Sequence, residues 1–118
     1  AIAIYDKALR ENPKDADAKA GRAQVSLFVR TRSADPASVR AQAAAAPQSD
    51  LVHLAAADLD ILAGAVEDAF ARVLDTVAAS SGSDKDVARV WLLELFEVVG
   101  LSDPRVTAAR KALASLLN

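Results

Sequence analysis

Cysteine is absent from this 118-residue sequence, and glycine, proline and aromatic residues are scarce. Without cysteine the chain has no disulfide, no thiolate metal ligand and no nucleophilic thiol, which suits a reducing compartment. Four glycines and four prolines are too few turn-forming residues for an all-β fold rich in turns. No apolar run approaches the ~20 residues of a membrane span, and no signal peptide is visible. We therefore expect a cytoplasmic protein without a membrane partner.

Neither sign of charge dominates the chain. Its 14 basic and 16 acidic residues give a formal net charge of −2, and the sequence pI is near 5.3. Proteins bind phosphate backbones through clustered Lys and Arg side chains. The balance of charge therefore predicts that nucleic acid is not a partner.

Helix-forming residues are abundant. Hydrophobic residues make up 53% of the chain and aromatics only 4%, so the apolar content is mostly Ala, Leu and Val. Ala and Leu are the strongest helix formers, and Ala also lets helices approach closely. Start and stop signals predict an all-α chain of about seven helices. The predicted helices cover residues 1–10, 15–30, 36–46, 50–63, 66–79, 84–99 and 104–118.

Several of these helix boundaries have a clear local cause. Asp35-Pro36 and Asp103-Pro104 each combine a side chain that accepts hydrogen bonds from free N–H groups with a proline that lacks one. Ser83 with Asp86 resembles a capping box at the start of the sixth helix. Gly100 is expected to end that helix.

Similar residues recur 34 positions apart, which is the tetratricopeptide period. Pro13 pairs in this way with Pro47, each predicted to end a helix, and Ala23 pairs with Ala57. The first thirteen residues, AIAIYDKALRENP, resemble the second helix of a tetratricopeptide repeat. The resemblance implies antiparallel helix hairpins that stack into a short right-handed superhelix, with small residues where the two helices of a hairpin touch.

The repeat alignment describes residues 1–118 as a single helical repeat domain. Trp91 stands where the period requires a small residue, so we expect the last two helices to depart from it. The predicted units are a half repeat at 1–13, a degenerate repeat at 14–47, a repeat at 48–81 and a C-terminal helix pair at 82–118.

The chain opens inside a predicted helix and without Met, which suggests an excised fragment. A half repeat that lacks its partner helix leaves an apolar stripe of Ile2, Tyr5 and Leu9 uncovered. An uncovered stripe of this kind favours pairing with a second copy of the chain. A homodimer through the N-terminal half repeat is therefore a further expectation.

The C-terminal third carries a narrower resemblance. The segments ARVWLLELFEVVG (88–100), DPRV (103–106) and ARKALASLL (109–117) are similar to the C-terminus of bacterial thioredoxin-like co-chaperones of the YbbN/CnoX type. The resemblance implies an upstream thioredoxin-like domain and a partner that is an unfolded client protein, a chaperonin, or both. It also implies that the closing helix docks to the chaperonin. The residues that map onto this role are Arg105, Arg110, Leu113, Leu116 and Leu117.

A second binding surface follows from the repeat alignment, because the first helices of tetratricopeptide hairpins line a concave groove. The predicted groove residues are Asp17, Gln24 and Leu27 on the second helix and Leu51, Leu54, Asp58 and Ile61 on the fourth. A clamp for a terminal carboxylate needs cationic donors, which this set lacks. We therefore expect a ligand segment that is apolar or carries Lys or Arg.

No catalytic constellation is visible. His53 is the only histidine and has no second strong metal ligand four residues away, so it is interpreted as a groove or packing residue. Asp58 and Asp60 lie on different faces of one helix and are predicted to be solvated, as are Glu94 and Glu97. We expect no enzyme activity, no metal and no cofactor in this segment.

Three functions follow from this sequence. The first is the protein-interaction module of a thioredoxin-like co-chaperone or holdase. The second is the substrate-selecting domain of a thiol–disulfide oxidoreductase, which a Cys-x-x-Cys pair in an upstream segment would indicate. The third is a regulatory helical domain that binds a small effector or another protein.

Overall fold

The computed structural model describes residues 2–46 and 49–117 and contains no strand in these ranges. Ala1, Pro47 and Asn118, on which the predicted ends of three helices fall, lie outside the described residues, as does Gln48. No helix of the described ranges is long and apolar enough to cross a bilayer. The helices are α1 (Ile2–Glu11), α2 (Ala16–Thr31), α3 (Pro36–Ala45), α4 (Asp50–Leu62), α5 (Val66–Ala79), α6 (Gly82–Val99) and α7 (Pro104–Leu117). The predicted all-α fold is confirmed.

Both predicted Asp-Pro helix starts are present. The Asp35 carboxylate accepts the backbone N–H of Ala37 at 3.2 Å, and the Asp103 carboxylate accepts that of Arg105 at 2.8 Å. In each case the side chain satisfies a donor that has no partner within the helix. Local sequence is sufficient to place these two boundaries.

The predicted capping box at the start of α6 is wrong. Ser81 is the N-cap residue and the helix begins at Gly82, so Ser83 lies inside the first turn. The chain is extended at Ser80 and Ser81 and then turns at Gly82, whose φ of +58° is accessible to glycine without a Cβ clash. This backbone turn, rather than a side-chain cap, starts the helix.

The main hydrophobic core is built by α4, α5, α6 and α7. Phe70 and Phe96 meet edge to face at its centre, with ring centroids 5.2 Å apart and planes at 89°. Within the described residues, Leu27 of α2 is the one member that comes from the first three helices. The C-terminal four helices therefore form the stable body of the fold.

The helices pack in an unequal way. Helix α5 contacts α4, α6 and α7, while α2, α4 and α6 all contact one another. Among the described residues, α1 packs only on α2, and α3 packs on α4 rather than on α2. The two helices of the predicted 14–47 unit thus stand apart, and α2 instead lies across the faces of α4 and α6.

Helix α1 is held against α2 by a close approach. The ring of Tyr5 lies against Gly21, at a point where any Cβ on residue 21 would collide with it. Ile2, Tyr5 and Leu9, the stripe predicted to be uncovered, are half-buried rather than exposed, whereas Ile4 is 73% exposed. The expected uncovered stripe is therefore partly covered by α2 of the same chain.

Candidate functional site

A buried carboxylate lies where α2, α4 and α6 meet. The guanidinium of Arg30 donates from Nε to Asp58 Oδ2 at 2.8 Å and from Nη2 to Asp58 Oδ1 at 3.0 Å. This bidentate geometry is the strongest form of Arg–carboxylate pairing. Asp58 is only 2% exposed, so the prediction that it is a solvated surface charge is wrong. The error arises because α2 and α6 cover this side of α4.

Helix α6 completes the surroundings of this arginine. Trp91 donates from Nε1 to Asp58 Oδ1 at 2.9 Å. The guanidinium carbon of Arg30 lies over the Trp91 ring, 4.4 Å from the ring centroid. Glu94 accepts a further hydrogen bond from Nη1 of Arg30. A planar cation is thus held by two carboxylates and stacked on an indole. We call Asp58, Trp91 and Glu94 together the arginine box.

The arginine box keeps its cation charged. Burial by itself lowers the pKa of Arg30, but the hydrogen bonds that Arg30 donates to Asp58 and Glu94, together with the negative charge of these two carboxylates, outweigh burial and raise the pKa above its usual value. Glu94 also lies 3.8 Å from Nη1 of Arg22, whose Nε donates to Asp6 of α1 at 2.6 Å. Glu94 was predicted to be a surface residue, but only 20% of its side chain is exposed.

A second buried carboxylate connects α3, α4 and α5. Asp60 is 4% exposed; its Oδ1 lies 2.9 Å from Nη1 of Arg40, and its Oδ2 accepts from Nε of Arg72 at 3.3 Å. The predicted solvated position of Asp60 is therefore also wrong. Two arginines share this carboxylate, so Arg40 ties α3 to α4 and Arg72 ties α5 to α4.

An open cleft of about 950 Å³ lies between α3, α4 and α5. His53 is on its surface, with Nδ1 3.4 Å from Nη1 of Arg72. Within residues 2–46 and 49–117, no three His, Asp or Glu side chains are grouped so as to hold a metal ion. The lining residues are Arg40, Asp50, His53, Asp60, Asp68, Ala71, Arg72, Asp75, Thr76 and Ala79.

The predicted groove residues are divided between surface and interior. Asp17, Gln24 and Leu51 are exposed. Ile61 is partly buried against the core. Because α2, α4 and α6 close on one another, the face expected to be a groove is an internal contact. Leu27, Leu54 and Asp58 are buried there and cannot meet a partner unless α2 moves.

The predicted docking residues of α7 are divided in the same way. Arg105, Arg110 and Leu117 are exposed, whereas Leu116 is partly buried and Leu113 belongs to the core. Leu113 therefore anchors α7 to the body instead of facing a partner. Arg105 is joined to Asp103 by a side-chain pair at 2.9 Å.

An exposed apolar patch on α6 was not among the predicted sites. Val87, Val90 and Leu93 are 47%, 53% and 40% exposed. We call these three residues the α6 patch. They lie on the side of α6 away from its buried face. Their three-residue spacing along the helix is the sequence pattern that could have indicated this exposed side. Beside them is an apolar pocket of about 320 Å³ lined by Arg30, Asp86, Val87, Val90, Trp91 and Glu94.

Comparison with known proteins gives one family and several relatives. The model of a tetratricopeptide repeat family matches residues 29–118. An uncharacterized protein of Mycobacterium bovis and its counterparts in two strains of Mycobacterium tuberculosis are each 34% identical to the chain over 113 residues. These alignments cover 96% of this chain and 37% of each relative, so the chain spans little more than a third of their length. No solved structure matches the chain.

The family match includes α6 and α7, and residues 1–28 lie outside it.

Proposed function

Because the chain belongs to the tetratricopeptide repeat family, whose domains mediate protein–protein interaction, we propose that it is the protein-binding module of a cytoplasmic thioredoxin-like co-chaperone or holdase. Domains of this family are interaction modules rather than catalysts. The co-chaperone part of the proposal rests on the similarity of residues 88–117 to the C-terminal segment of thioredoxin-like co-chaperones. The thioredoxin-like domain would lie elsewhere in the full-length protein.

The α6 patch is the observation that carries the client-binding part of the proposal. Two of its three exposed side chains, Val87 and Val90, line an apolar pocket of about 320 Å³ between α6 and Arg30 of α2. Contiguous exposed apolar surface bordered by polar groups marks interaction sites in soluble proteins. Asp86 and Glu94 border the pocket, so a client segment with an aliphatic or aromatic side chain next to Lys or Arg fits its chemistry.

The charge of α7 supports a separate docking role. This helix carries Arg105, Arg110 and Lys111 at exposed positions and contains no acidic residue. Its outer face is therefore cationic on a chain whose formal net charge is −2. Complementary charge directs and speeds association between proteins, so an acidic surface on the chaperonin is the partner that this face fits.

Client binding is tested by the suppression of light scattering from a chemically unfolded protein diluted into buffer. We expect Val87→Ser with Val90→Ser to reduce the capacity to suppress aggregation several-fold, because these changes remove apolar contact area. The control is Ile4→Ser, which changes an apolar residue on α1 that is even more exposed, at 73%. Equal suppression by both variants and the parent chain would contradict a client surface on α6.

Chaperonin docking is tested with purified chaperonin and an immobilised chain. Arg110→Glu with Lys111→Glu should raise the dissociation constant about tenfold or more at low salt, because the outer face of α7 changes sign. Lys7→Glu with Lys19→Glu makes the same change in net charge on exposed positions of α1 and α2. Identical affinity of the two double variants would argue against docking through α7.

Two other functions remain to be separated from this one. The oxidoreductase reading requires a redox-active Cys-x-x-Cys pair in the full-length protein, and thiol–disulfide exchange assays of that protein test it directly. The effector reading is favoured by the open cleft between α3, α4 and α5, which is lined by Arg40, Arg72 and His53 together with four aspartates. A shift in melting temperature with a small charged molecule such as an amino acid, lost in Arg40→Ala, would support it.

A further inference from the structure

The exposed aliphatic residues of the α6 patch follow one another at a fixed interval along the helix. Val87, Val90 and Leu93 are three residues apart, which places them roughly 4.5 Å apart along the helix axis. On the other side of α6, Leu92 and Leu95 are buried in the core. A row of side chains at this interval is a ridge of the kind that packs into the groove of a second helix.

The interval of the patch matches a helical partner better than an extended one. On the contact face of a helix, side chains recur every three or four residues, roughly 4.5–6 Å along its axis. On one face of an extended segment they recur every second residue, about 6.6–6.8 Å apart. A helix can therefore place successive side chains between Val87, Val90 and Leu93, whereas an extended segment loses this register after one contact.

Backbone hydrogen bonding favours the same form of partner. The main chain of α6 is hydrogen-bonded within the helix, and residues 2–46 and 49–117 contain no strand with which an extended segment could pair. Asn and Gln, whose amides can bond an extended backbone from the side, are absent from the sequence of α6. An extended segment over the patch would therefore leave backbone groups away from water and without partners, whereas a helix pairs its own.

Acidic side chains border the patch along its length. Helical periodicity places Asp86 and Glu97, about one turn before and two turns after the middle of the patch, on the same side of α6. The side chain of Asp86 is 74% exposed, and its ion pair with Arg89 is long, at 3.8 Å, so it contributes little. Glu94 is already bonded to Arg30. A partner helix with Lys or Arg beside its apolar stripe complements the other two carboxylates.

We propose that the α6 patch binds its partner segment as an amphipathic helix, with the aliphatic stripe of that helix on the patch and its flanking Lys or Arg near Asp86 and Glu97. One large apolar side chain of the partner enters the pocket of about 320 Å³ beside Trp91. The choice of this surface rests on the proposed function, whereas the helical form of the partner goes beyond it. A client is then selected by its ability to form a helix with apolar residues at i, i+3 or i+4 and i+7, and not by apolar content alone.

Trp91 supplies the signal for the test, because it is the only tryptophan of the chain and lines the pocket. The probe is a synthetic peptide of about 18 residues, long enough to form a helix on binding, built from Ala, Leu and Lys with leucines at i, i+3 and i+7. A second peptide has the same composition with the leucines at alternate positions, and a third has a central proline in place of an alanine. We expect the first peptide to shift the Trp91 emission and to bind about tenfold more tightly than either of the others.

Variants of the chain locate the peptide on the patch. Val90→Ser should raise the dissociation constant of the helical peptide about tenfold, because it removes apolar contact area. Ile4→Ser is its control, since α1 packs on α2 and not on α6 among the described residues. Asp86→Lys should weaken binding several-fold at low salt. Asp68→Lys, which makes the same change of charge at an exposed position of α5, should not.

Equal affinity of the chain for the three peptides overturns the proposal, as does a helical peptide that binds the parent and Val90→Ser equally well. A chain that binds none of the peptides but suppresses aggregation through the patch also overturns it, because the client is then held in another form. The proposed function stands in that case. A helical peptide that binds the patch of a chain without aggregation suppression supports the helix site and contradicts the holdase function.

Discussion

Arg30 and Asp58 are 28 positions apart in the chain and form a two-point hydrogen-bonded pair, with distances of 2.8 and 3.0 Å. The pair joins α2 to α4, and Trp91 of α6 donates to the same carboxylate. Three helices that are distant in sequence are thus held at one buried point. A buried carboxylate is costly unless it is paired, and this arrangement supplies Asp58 with a guanidinium and an indole N–H.

Loss of the cation is therefore expected to be costly. Arg30→Ala should lower the free energy of unfolding by about 2–3 kcal/mol, because it leaves Asp58 buried and unpaired. Arg30→Lys should lower it less, since charge is kept while the two-point geometry and the stacking on Trp91 are lost. Urea denaturation measures both. Equal stability of the parent and Arg30→Ala would mean that the pair contributes nothing.

Because Tyr5 lies against Gly21, the effect of Gly21→Ala on the free energy of unfolding should change sign when Tyr5 is removed. Gly21→Ala places a Cβ against the Tyr5 ring, and overpacking of this kind should outweigh the helix preference of alanine and destabilise the chain by about 1 kcal/mol. In a Tyr5→Ala background the space is open, so the same change should stabilise by about 0.5–1 kcal/mol. A double-mutant cycle followed by thermal unfolding measures the difference. The same sign in both backgrounds would exclude the close approach.

Substitutions of Asp60, Arg72 and Arg40 should lower the free energy of unfolding by different amounts. Asp60→Asn removes the negative charge and replaces one of the two oxygens that hold Arg40 and Arg72 by an NH2 donor, so it should cost about 1–3 kcal/mol. Arg72→Ala should cost less and Arg40→Ala about 0–1 kcal/mol, since their side chains are 33% and 45% exposed. Chemical denaturation of the three variants gives this order. If Arg40→Ala proves the most damaging, Asp60 is not the centre of the cluster.

The start of α7 should weaken in acid. The side chain of Arg105, and then its backbone N–H, hold the pKa of Asp103 below the usual value of 3.8. A carboxyl whose pKa is lowered by folding stabilises the fold fully above its usual pKa, and this contribution is lost as the pH falls through the folded value. Carboxyl NMR titration should find that Arg105→Gln raises the pKa of Asp103. Arg110→Gln, on the same helix, serves as the control and should leave it unchanged.

The helix ends and the buried carboxylates differ in how far sequence predicts them. Asp35 and Asp103 are recognisable because a cap acts on N–H groups within three residues. Asp58 and Asp60 were predicted to be solvated because they lie on different faces of one helix. Their partners, Arg30, Arg40 and Arg72, come from three other helices, and pairing at such separations leaves no local signal.

The α6 patch and the closed groove have the same explanation. An apolar helix such as α6 is recognisable from composition, but its packing decides which apolar side chains stay outside, and here Val87 and Val90 do. The repeat alignment places Leu27 and Leu54 on one side of their helices. It does not indicate that α2 lies over that side and buries both.

The sequence by itself determined the helical class, the number of helices and most of their ends, because helix propensity and capping act over a few residues. The tertiary structure alone decided that α2 packs on α4 and α6 rather than on α3, that Asp58 and Asp60 are buried with their arginines, and that Leu27 and the arginine box help to join α2 to the other helices. These features depend on side chains far apart in the chain, and folding alone brings them within contact distance.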